Sequence, residues 1–232
     1  MEESMNEAKI VALTQPVVDA INDGNPMATG DFVAYAARVS NPSNQLNTGT
    51  SEKLLKYLAR NAHWSPFEMI SITMEITTTR DIARQILRHR SFSFQEFSQR
   101  YADPTKDRGF VSDREARLQD PKNRQNSVES DDSELQKQFD MYQAQMTHRA
   151  MTFYEWAIGQ GIAKEQARVF LPEGLTVSRM YMAGTLRSWI HYCELRMGNG
   201  TQKEHKIVAE AAWNQLVTYF SWLTEVVDVK HH

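Results

Sequence analysis

Residues 88–101, which read RHRSFSFQEFSQRY, hold the side chains with the greatest capacity for chemistry. Guanidinium groups, an imidazole and a carboxylate alternate there with phenylalanine rings. Buried Arg and Glu are costly unless they are paired, so this mixture is unusual for a hydrophobic core. Arg binds phosphate or carboxylate through two parallel hydrogen bonds, and aromatic faces cover flat rings. The segment therefore predicts a site for a planar ligand that carries phosphate.

A row of arginines leads into this segment, with Arg80, Arg84 and Arg88 spaced by four residues. On a helix such residues share one face, where like charges repel unless an anion or nearby acids compensate them. We expect Arg80 and Arg84 to form a solvated basic stripe. We expect Arg88 and Arg90, which flank His89, to serve the ligand site instead.

Composition limits the class of protein. The chain has 232 residues, a hydrophobic content of 41% and a net charge of −3. These values allow a real core and argue against a dedicated nucleic-acid binder. Because Cys193 is the one cysteine, no internal disulfide can form, and a cytoplasmic location is the simplest expectation. The sequence shows no membrane-spanning run, no signal peptide at MEESMNEAKIVAL and no metal-binding motif.

Apolar periodicity predicts an α+β fold. Alternating apolar and polar residues predict strands at residues 69–78 and 92–96, and further strands are expected near the amino terminus and at residues 176–182. Helical spacing predicts helices at residues 31–39, 51–58, 79–89, 135–158, 164–170 and 185–195, and in the last part of the chain. Residues 103–133 are polar, charged and interrupted by proline, which is typical of a long mobile or functional loop.

Two of the predicted helices begin with capping signals. Asp31 is placed to cap the first of them, and Thr201 with Glu204 has the spacing of a capping box before the last. The buried stripe predicted for that last helix consists of Val208, Ala212, Gln215, Leu216, Tyr219 and Leu223.

The order Arg88-His89-Arg90, then seven residues, then Ser98 resembles the signature of the flavin-dependent thymidylate synthases. Further stretches resemble the same family: AARVSN at residues 36–41, HWSPFE at 63–68, LPEGLTVSRMYMAGTLRSWIHYCELR at 171–196 and GTQKEH at 200–205. The resemblance runs from about residue 31 to the last helix.

This resemblance implies a fold and a reaction. The fold would be a single domain over residues 1–232, with a small antiparallel sheet flanked by long helices. It would assemble as a homotetramer whose active sites are shared between subunits, without nucleic-acid or membrane partners. The reaction would be the reductive methylation of deoxyuridine monophosphate (dUMP) to thymidine monophosphate (dTMP). The carbon would come from 5,10-methylenetetrahydrofolate, and the hydride from FAD that NADPH has reduced.

The resemblance also implies which residues do the work. It assigns catalysis to Arg196, whose guanidinium would stabilise the negative charge that develops on the uracil imide. The residues that would contact FAD are Ser40, His63, Ser65, Arg88, His89, Arg90, Glu96, Arg187 and His191. Those that would contact dUMP are Gln85, Arg88, Glu96, Phe97, Ser98, Gln99, Arg100, Arg168 and Arg196. By the same resemblance, Arg168 belongs to a neighbouring subunit and His63 lies near the flavin face where folate stacks.

The residue types suit these roles. Ser98 and Arg100 can hold a phosphate, and Glu96 can accept from ribose hydroxyls. Gln85 offers both a donor and an acceptor, as recognition of a uracil edge or a sugar requires. Ordinary structural roles stay open for three residues: Ser40, Arg168 and His191.

The sequence predicts no nucleophile of the enzyme's own. Cys193 lies mid-helix without signs of thiolate activation, and Ser98 has no recognisable triad around it. Two other functions stay open. One is a single-stranded RNA-binding protein whose Arg and Phe side chains contact phosphates and bases, although the net negative charge argues against it. The other is a related scaffold that binds flavin but has lost turnover.

Overall fold

The structure is a computed structural model that describes residues 5–111 and 113–228. The terminal residues His231 and His232, and the first part of the acidic amino-terminal segment, lie outside these ranges. In chain order the strands are β1 (Glu7–Leu13), β2 (Ser71–Thr79), β3 (Ser93–Glu96), β4 (Leu118–Gln119), β5 (Ser127–Val128) and β6 (Val177–Thr185).

The helices divide into α-helices and short 3₁₀ turns. In chain order the α-helices are α1 (Val18–Ile21), α2 (Thr29–Ala37), α3 (Ser51–Arg60), α4 (Arg80–Ile86), α5 (Pro104–Asp107), α6 (Ser133–Gly159), α7 (Lys164–Ala167), α8 (Leu186–Met197) and α9 (Lys203–Tyr219). The 3₁₀ turns are Pro42–Asn44, Thr48–Thr50, Ser65–Met69, Arg168–Phe170 and Ser221–Glu225.

A four-stranded antiparallel sheet in the order β1-β2-β6-β3 forms the centre of the fold. The pairing of β2 with β6 runs from Ser71 opposite Thr185 to Thr79 opposite Val177. Each of these strands continues directly into a helix, β2 into α4 and β6 into α8. Because the strands are antiparallel, the two helices leave from opposite ends of the sheet. The pairing of β2 with β6 brings together two strand–helix segments that are distant in the sequence.

The core lies between the sheet, α8 and α9. Ile72, Met74 and Ile76 of β2 are fully buried, as their alternation with polar residues predicts. Trp189 of α8 is also fully buried, and its indole N–H donates to the Ile72 carbonyl oxygen at 3.1 Å. This bond satisfies the one polar group of the indole and fixes α8 on the sheet.

The predicted α+β fold is confirmed, and so are the predicted strands, which correspond to β1, β2, β3 and β6. The long predicted helix at residues 135–158 is α6. The helix predicted at residues 79–89 ends earlier, at Ile86, so that residues 87–91 form a turn.

Both capping predictions were wrong. Asp31 lies in the first turn of α2, after the cap residue Ala28. The cap of α9 is Gln202, which makes no side-chain cap bond, and Glu204 binds Arg117 instead. In the predicted α9 stripe Gln215 is half-buried, and its side-chain oxygen accepts from the Ile10 N–H of β1. Tyr219 of the same stripe is exposed.

Residues 103–133 contain more structure than the predicted loop. They include α5, the β4–β5 hairpin and a bridge between Phe110 and Thr176. Arg117 anchors the segment through the Glu204 carboxylate, with N–O distances of 2.7 and 2.9 Å. Arg114 donates to the Asp81 carboxylate at 2.8 and 3.0 Å. Charged side chains that suggest a solvated loop therefore fix this one to the domain. None of the described helices has the length and apolar character needed to cross a bilayer.

Candidate active site

The first group of predicted residues meets where the carboxyl ends of α4 and α8 approach α9. We call Gln85, His89, Tyr192, Arg196 and His205 the Arg196 cluster. The Nε of Arg196 donates to Nε2 of His89 at 2.8 Å. Because Nε2 accepts this bond, the remaining proton of a neutral His89 lies on Nδ1. The guanidinium is thereby held in place by a neutral ring.

The electrostatics of this pair favour an anionic ligand. Burial lowers the pKa of His89 to about 4, and the charge of Arg196 acts in the same direction. Burial also lowers the pKa of Arg196, and Arg88 adds to this effect. Among the described residues no acid pairs with Arg88, Arg90 or Arg196. The charge of Arg88 acts on Arg196, so a negative group that approaches these two cations is stabilised by both.

The turn at residues 87–91 has a fixed position. The Arg88 and His89 N–H groups donate to the Gln85 and Ile86 carbonyl oxygens, which closes the last turn of α4. Phe92 then packs edge-on against Trp189, with ring centroids 4.9 Å apart. It lies so close to Gly184 that a Cβ there would be 2.4 Å from Phe92 Cδ1. A glycine at this position therefore lets the turn lie directly on β6.

Gln85 connects the cluster to α9. Its Nε2 donates to Oε1 of Gln202 at 2.7 Å, and its Oε1 lies 3.2 Å from Nδ1 of His205. The other ring nitrogen of His205 lies 3.1 Å from the Tyr192 hydroxyl. Tyr192 and His205 are buried, whereas Gln85 is half-buried. The amide of Gln85 thus lies between a buried polar network and more open space.

The buried histidines predict a loss of stability in mild acid. Burial lowers the pKa of His205 to about 3, aided by Arg196 and His89, whereas an unfolded histidine titrates near ~6.5. Below pH ~6.5 the histidine of the unfolded chain binds a proton that folded His205 does not. The free energy of unfolding therefore decreases as the pH is lowered. We expect a decrease of about 2 kcal/mol from His205 between pH 7 and pH 5.

Urea unfolding at several pH values between 7 and 5 measures this decrease, above the range where most carboxylates titrate. His205→Asn, which removes the titrating ring, should flatten the pH dependence by the same amount. An unchanged slope in that variant would contradict the assignment.

A second group lies around the 3₁₀ turn Ser65–Met69. We call Trp64, Glu68, Arg187 and His191 the His191 cluster. The His191 ring contacts Trp64 edge-on, with centroids 5.0 Å apart, and Arg187 forms an ion pair with Glu68. Burial lowers the pKa of His191, with Arg187 acting in the same direction. The HWSPFE and TLRSWIHY motifs are therefore adjacent in space.

The neighbouring predicted residues of this side are exposed. His63 follows Ala62, whose φ of 55° ends α3, and the His63 N–H donates to the Leu58 carbonyl oxygen at 2.9 Å. Ser65 begins the 3₁₀ turn and is also exposed. Ser40 lies on the surface after α2.

Glu96 compensates the arginines of α4. Its carboxylate accepts from Arg84 at 2.9 and 3.1 Å, from Arg80 at 3.4 Å and from the Ser178 hydroxyl at 2.9 Å. The prediction of a solvated stripe was wrong, because the Arg80 side chain is 12% exposed and both arginines are ion-paired. Their partner lies 12 and 16 residues away in sequence, on β3.

A third group contains the remaining predicted residues. We call Arg100, Glu165 and Arg168 the Arg100 cluster. Arg100 pairs with the Glu165 carboxylate at 3.1 Å, and Nε of Arg168 donates to the Glu165 carbonyl oxygen at 3.2 Å. Ser98, which lies between β3 and Arg100, is exposed. Its carbonyl oxygen accepts from the N–H groups of Tyr101 and Ala102 and so closes a turn.

Phe97 and Gln99 complete this side. The Arg108 guanidinium lies over the Phe97 ring, 5.5 Å from its centroid. Gln99 is buried, and its Nε2 has no hydrogen-bond partner in the part of the chain that the structure describes. An unpaired buried donor is costly, so a ligand or neighbouring chain that accepts from it would be favoured.

The three clusters do not share one cleft within a protomer. On α8, Arg187 and Arg196 are nine residues apart, about two and a half turns, so they point to opposite sides. On α4, Arg80 and Arg84 face Glu96 whereas Gln85 faces α9. Within a protomer, the residues predicted from the sequence are therefore distributed over three separate regions.

Three members of the polar network were absent from the predicted site: Tyr192, Gln202 and His205. Their sequence signals are weak: Tyr192 lies among apolar residues of α8, and Gln202 and His205 belong to a polar run at the start of α9. The spacing of Tyr192 and Arg196 by four residues does place them on one side of α8. The contact of His205 with Gln85, 120 residues apart, is visible only in the folded chain.

Comparison with known families gives an independent result. The family model described as thymidylate synthase complementing protein matches residues 27–220. A probable flavin-dependent thymidylate synthase of Paramecium bursaria Chlorella virus 1 is 45% identical over 221 residues, which cover 95% of this chain and 98% of that protein. A flavin-dependent thymidylate synthase of Synechocystis is 48% identical over 222 residues, with coverages of 96% and 99%.

Solved structures share the fold. A UMP/dUMP methylase from Streptomyces cacaoi, bound with 5-Br UMP, superimposes with a TM-score of 0.75 at 24% identity and covers 95% of this chain and 94% of its own. The same methylase bound with 5-Br dUMP gives a TM-score of 0.73 at 25% identity and covers 95% of each chain.

Proposed function

The chain belongs to the family of flavin-dependent thymidylate synthases, and we propose that it converts dUMP to dTMP. It is an enzyme of the methyltransferase type. The proposed carbon donor is 5,10-methylenetetrahydrofolate, and the proposed reductant of its FAD is NADPH. The observation that carries the proposal is Arg196, which a neutral His89 holds in place without an acidic partner among the described residues.

The side chains present suit a flavin nucleotide. Arg88 and Arg90 are exposed and lack ion pairs within the described ranges, so they can neutralise a pyrophosphate. Arg90 also lines a cleft of about 390 Å³ with Ser71, Ser93 and Thr185. When bound, a reduced flavin supplies the hydride. The FAD contacts proposed in addition are Ser40, His63, Ser65, His89, Glu96, Arg187 and His191.

The role of Arg196 follows from charge. Transfer of a one-carbon unit to uracil requires electron density at the ring carbon, while negative charge develops on the imide nitrogen and its oxygen. A guanidinium already fixed beside these atoms stabilises that charge without reorganising. His89 contributes by accepting from Nε, which leaves the two terminal nitrogens of Arg196 free for the imide.

The proposed dUMP contacts fall into two sets. Gln85, Arg88 and Arg196 lie on one side of α4, whereas residues 96–100 and Arg168 lie on the other. We infer that a nucleotide contacts one set from each of two subunits. In its own protomer Arg168 lies with Arg100, on the side of α4 away from Arg196. This supports the expectation that Arg168 acts on the site of a neighbouring subunit.

The proposed assembly is a homotetramer, and an exposed apolar stripe on α6 supports self-association of the chain. Its members repeat at intervals of three, four or seven residues and are 36–61% exposed in the protomer: Leu135, Phe139, Tyr142, Met146 and Phe153. A stripe with this spacing is typical of a helix that packs on another helix. A contiguous apolar surface of this kind is unfavourable in water.

Cys193 should not be required for turnover. The side chain is fully buried, burial raises the pKa of its thiol, and its Sγ lies 3.7 Å from the Ala209 carbonyl oxygen. A protonated, inaccessible thiol cannot attack uracil. We expect Cys193→Ala to keep its rate of dTMP formation within about twofold and to lose roughly 1–2 kcal/mol of stability. A rate at background level in a folded variant would contradict a reaction without an enzyme thiol.

The function is tested on the purified chain. We expect a flavin absorption spectrum and folate-dependent release of tritium from dUMP labelled at carbon 5. A protein that binds no added FAD would contradict the proposed cofactor. A flavin-bound protein that releases no tritium with any reductant would instead support a scaffold that has lost turnover.

A further inference from the structure

His205 occupies an unusual position for a residue outside the proposed chemistry. It is fully buried on α9, yet both of its ring nitrogens have polar partners from other helices. These partners are Gln85 of α4, a proposed dUMP contact, and Tyr192 of α8. The ring therefore connects a residue that contacts substrate to the core.

The direction of every hydrogen bond in this network follows from its charged end. The Glu204 carboxylate can only accept, so Nε2 of Gln202, at 2.9 Å, must donate to it. This orientation leaves Oε1 of Gln202 to accept from Nε2 of Gln85 at 2.7 Å. Arg117 also donates to Glu204, which keeps that carboxylate charged and in place.

The same logic determines the state of His205. Oε1 of Gln85 is an acceptor, so Nδ1 of His205 must carry the proton for the 3.2 Å contact to be a hydrogen bond. Nε2 is then unprotonated and accepts from the Tyr192 hydroxyl at 3.1 Å. Burial raises the pKa of Tyr192, so that hydroxyl stays a donor. Each hydrogen bond thus donates in the same direction along the network, from Tyr192 through His205, Gln85 and Gln202 to Glu204.

A fixed amide has consequences for recognition. Gln85 uses one N–H and one lone pair inside the network, so one N–H and one lone pair of this half-buried amide remain. A fixed N–H and C=O side by side complement one carbonyl and the N–H of a uracil imide, which leaves the second carbonyl for Arg196. Cytosine presents an amino donor where uracil has a carbonyl acceptor, and it would fit the flipped amide.

We propose that His205 is a positioning residue that, with Tyr192 as its donor, fixes the Gln85 amide in the orientation that selects uracil over cytosine nucleotides. The inference rests on the proposed function, which places dUMP at Gln85. His205 acts through Gln85 and does not touch the substrate.

The test compares the equilibrium binding of dUMP and deoxycytidine monophosphate (dCMP) to the flavin-loaded enzyme, without folate. His205→Phe keeps a ring of similar shape but removes both hydrogen bonds. We expect dUMP affinity to fall about tenfold and the dUMP preference over dCMP to shrink by a similar factor. His205→Asn keeps an N–H near the position of Nδ1 and should restore most of that preference.

Tyr192→Phe provides a second, milder variant. It removes the hydroxyl that donates to Nε2 of His205 and holds the ring against Gln85, so the preference should shrink about threefold. Cys193→Ala, a buried neighbour of Tyr192 that does not contact Gln85, controls for general loosening of α8 and should leave the preference unchanged.

The outcomes separate this inference from the proposed function. Unaltered protein without flavin binding or dTMP formation would overturn the proposed function itself. If the unaltered enzyme is active, an unchanged dUMP preference in His205→Phe overturns the inference, and so does an equal loss of affinity for both nucleotides. Should His205→Phe not fold, an unchanged preference in Tyr192→Phe overturns it.

Discussion

Replacing Arg196 with Ala should lower the rate of dTMP formation by about 10²–10³-fold. The guanidinium is proposed to be the group that meets the negative charge developing on uracil, and the neighbouring Arg88 is not held in the same way. Arg88 is exposed, whereas Arg196 is fixed by the 2.8 Å bond to His89. A loss confined to the transition state appears in kcat more than in KM.

The same variant should keep its flavin. Among the proposed FAD contacts in the described residues, His89 is the one that hydrogen-bonds to Arg196, whereas Arg187 and His191 lie in the separate His191 cluster. The measurement is the ratio of flavin absorbance to protein together with single-turnover formation of dTMP. Arg60→Ala removes an exposed arginine of α3 and is the matched control. Full activity in Arg196→Ala would show that the catalytic cation has been misplaced.

Replacing Met146 with Glu should separate the subunits and abolish most of the activity. The side chain lies in the middle of the exposed α6 stripe, where the proposed assembly would bury it. Burying an unpaired carboxylate costs several kcal/mol, which corresponds to roughly 10²–10³-fold weaker association. Activity should fall with assembly, because the two sets of dUMP contacts are proposed to come from different subunits.

Sedimentation velocity and activity at matched protein concentrations test this prediction. Ala144→Glu adds the same charge to an exposed position on roughly the opposite side of α6 and should stay assembled and active. A Met146→Glu protein that remains a tetramer would exclude this stripe as an interface. A fully active monomer would contradict the sharing of sites between subunits.

The sequence was enough to identify most of the residues at which chemistry is proposed, because the residue type itself indicates charge and hydrogen-bonding capacity. An Arg-His-Arg run, the alternation of a half-buried strand at residues 69–78 and an isolated cysteine each constrain chemistry or local geometry without knowledge of distant contacts. The strands and the long α6 were predicted for the same reason, since periodicity is a local property of the chain.

The tertiary structure decided which charges are compensated. Arg80 and Arg84 looked like a solvated stripe, yet Glu96 pairs with both of them. Glu204 looked like half of a capping box, yet it binds Arg117 of the segment expected to be a loop. In each case the partner is distant in sequence, and an ion pair depends on the distance in space.

Donor groups and charge are properties of a residue, so the amino-acid sequence was enough to identify side chains able to hold an anionic nucleotide. The folded chain was needed to show that Arg196 rests on a neutral His89 and that Gln85 belongs to a directed hydrogen-bond network ending at Glu204. The tertiary structure also decided that the predicted residues occupy three separate regions of a protomer. Hydrogen bonds depend on distances of a few tenths of an ångström, and the packing of the helices on the sheet sets those distances.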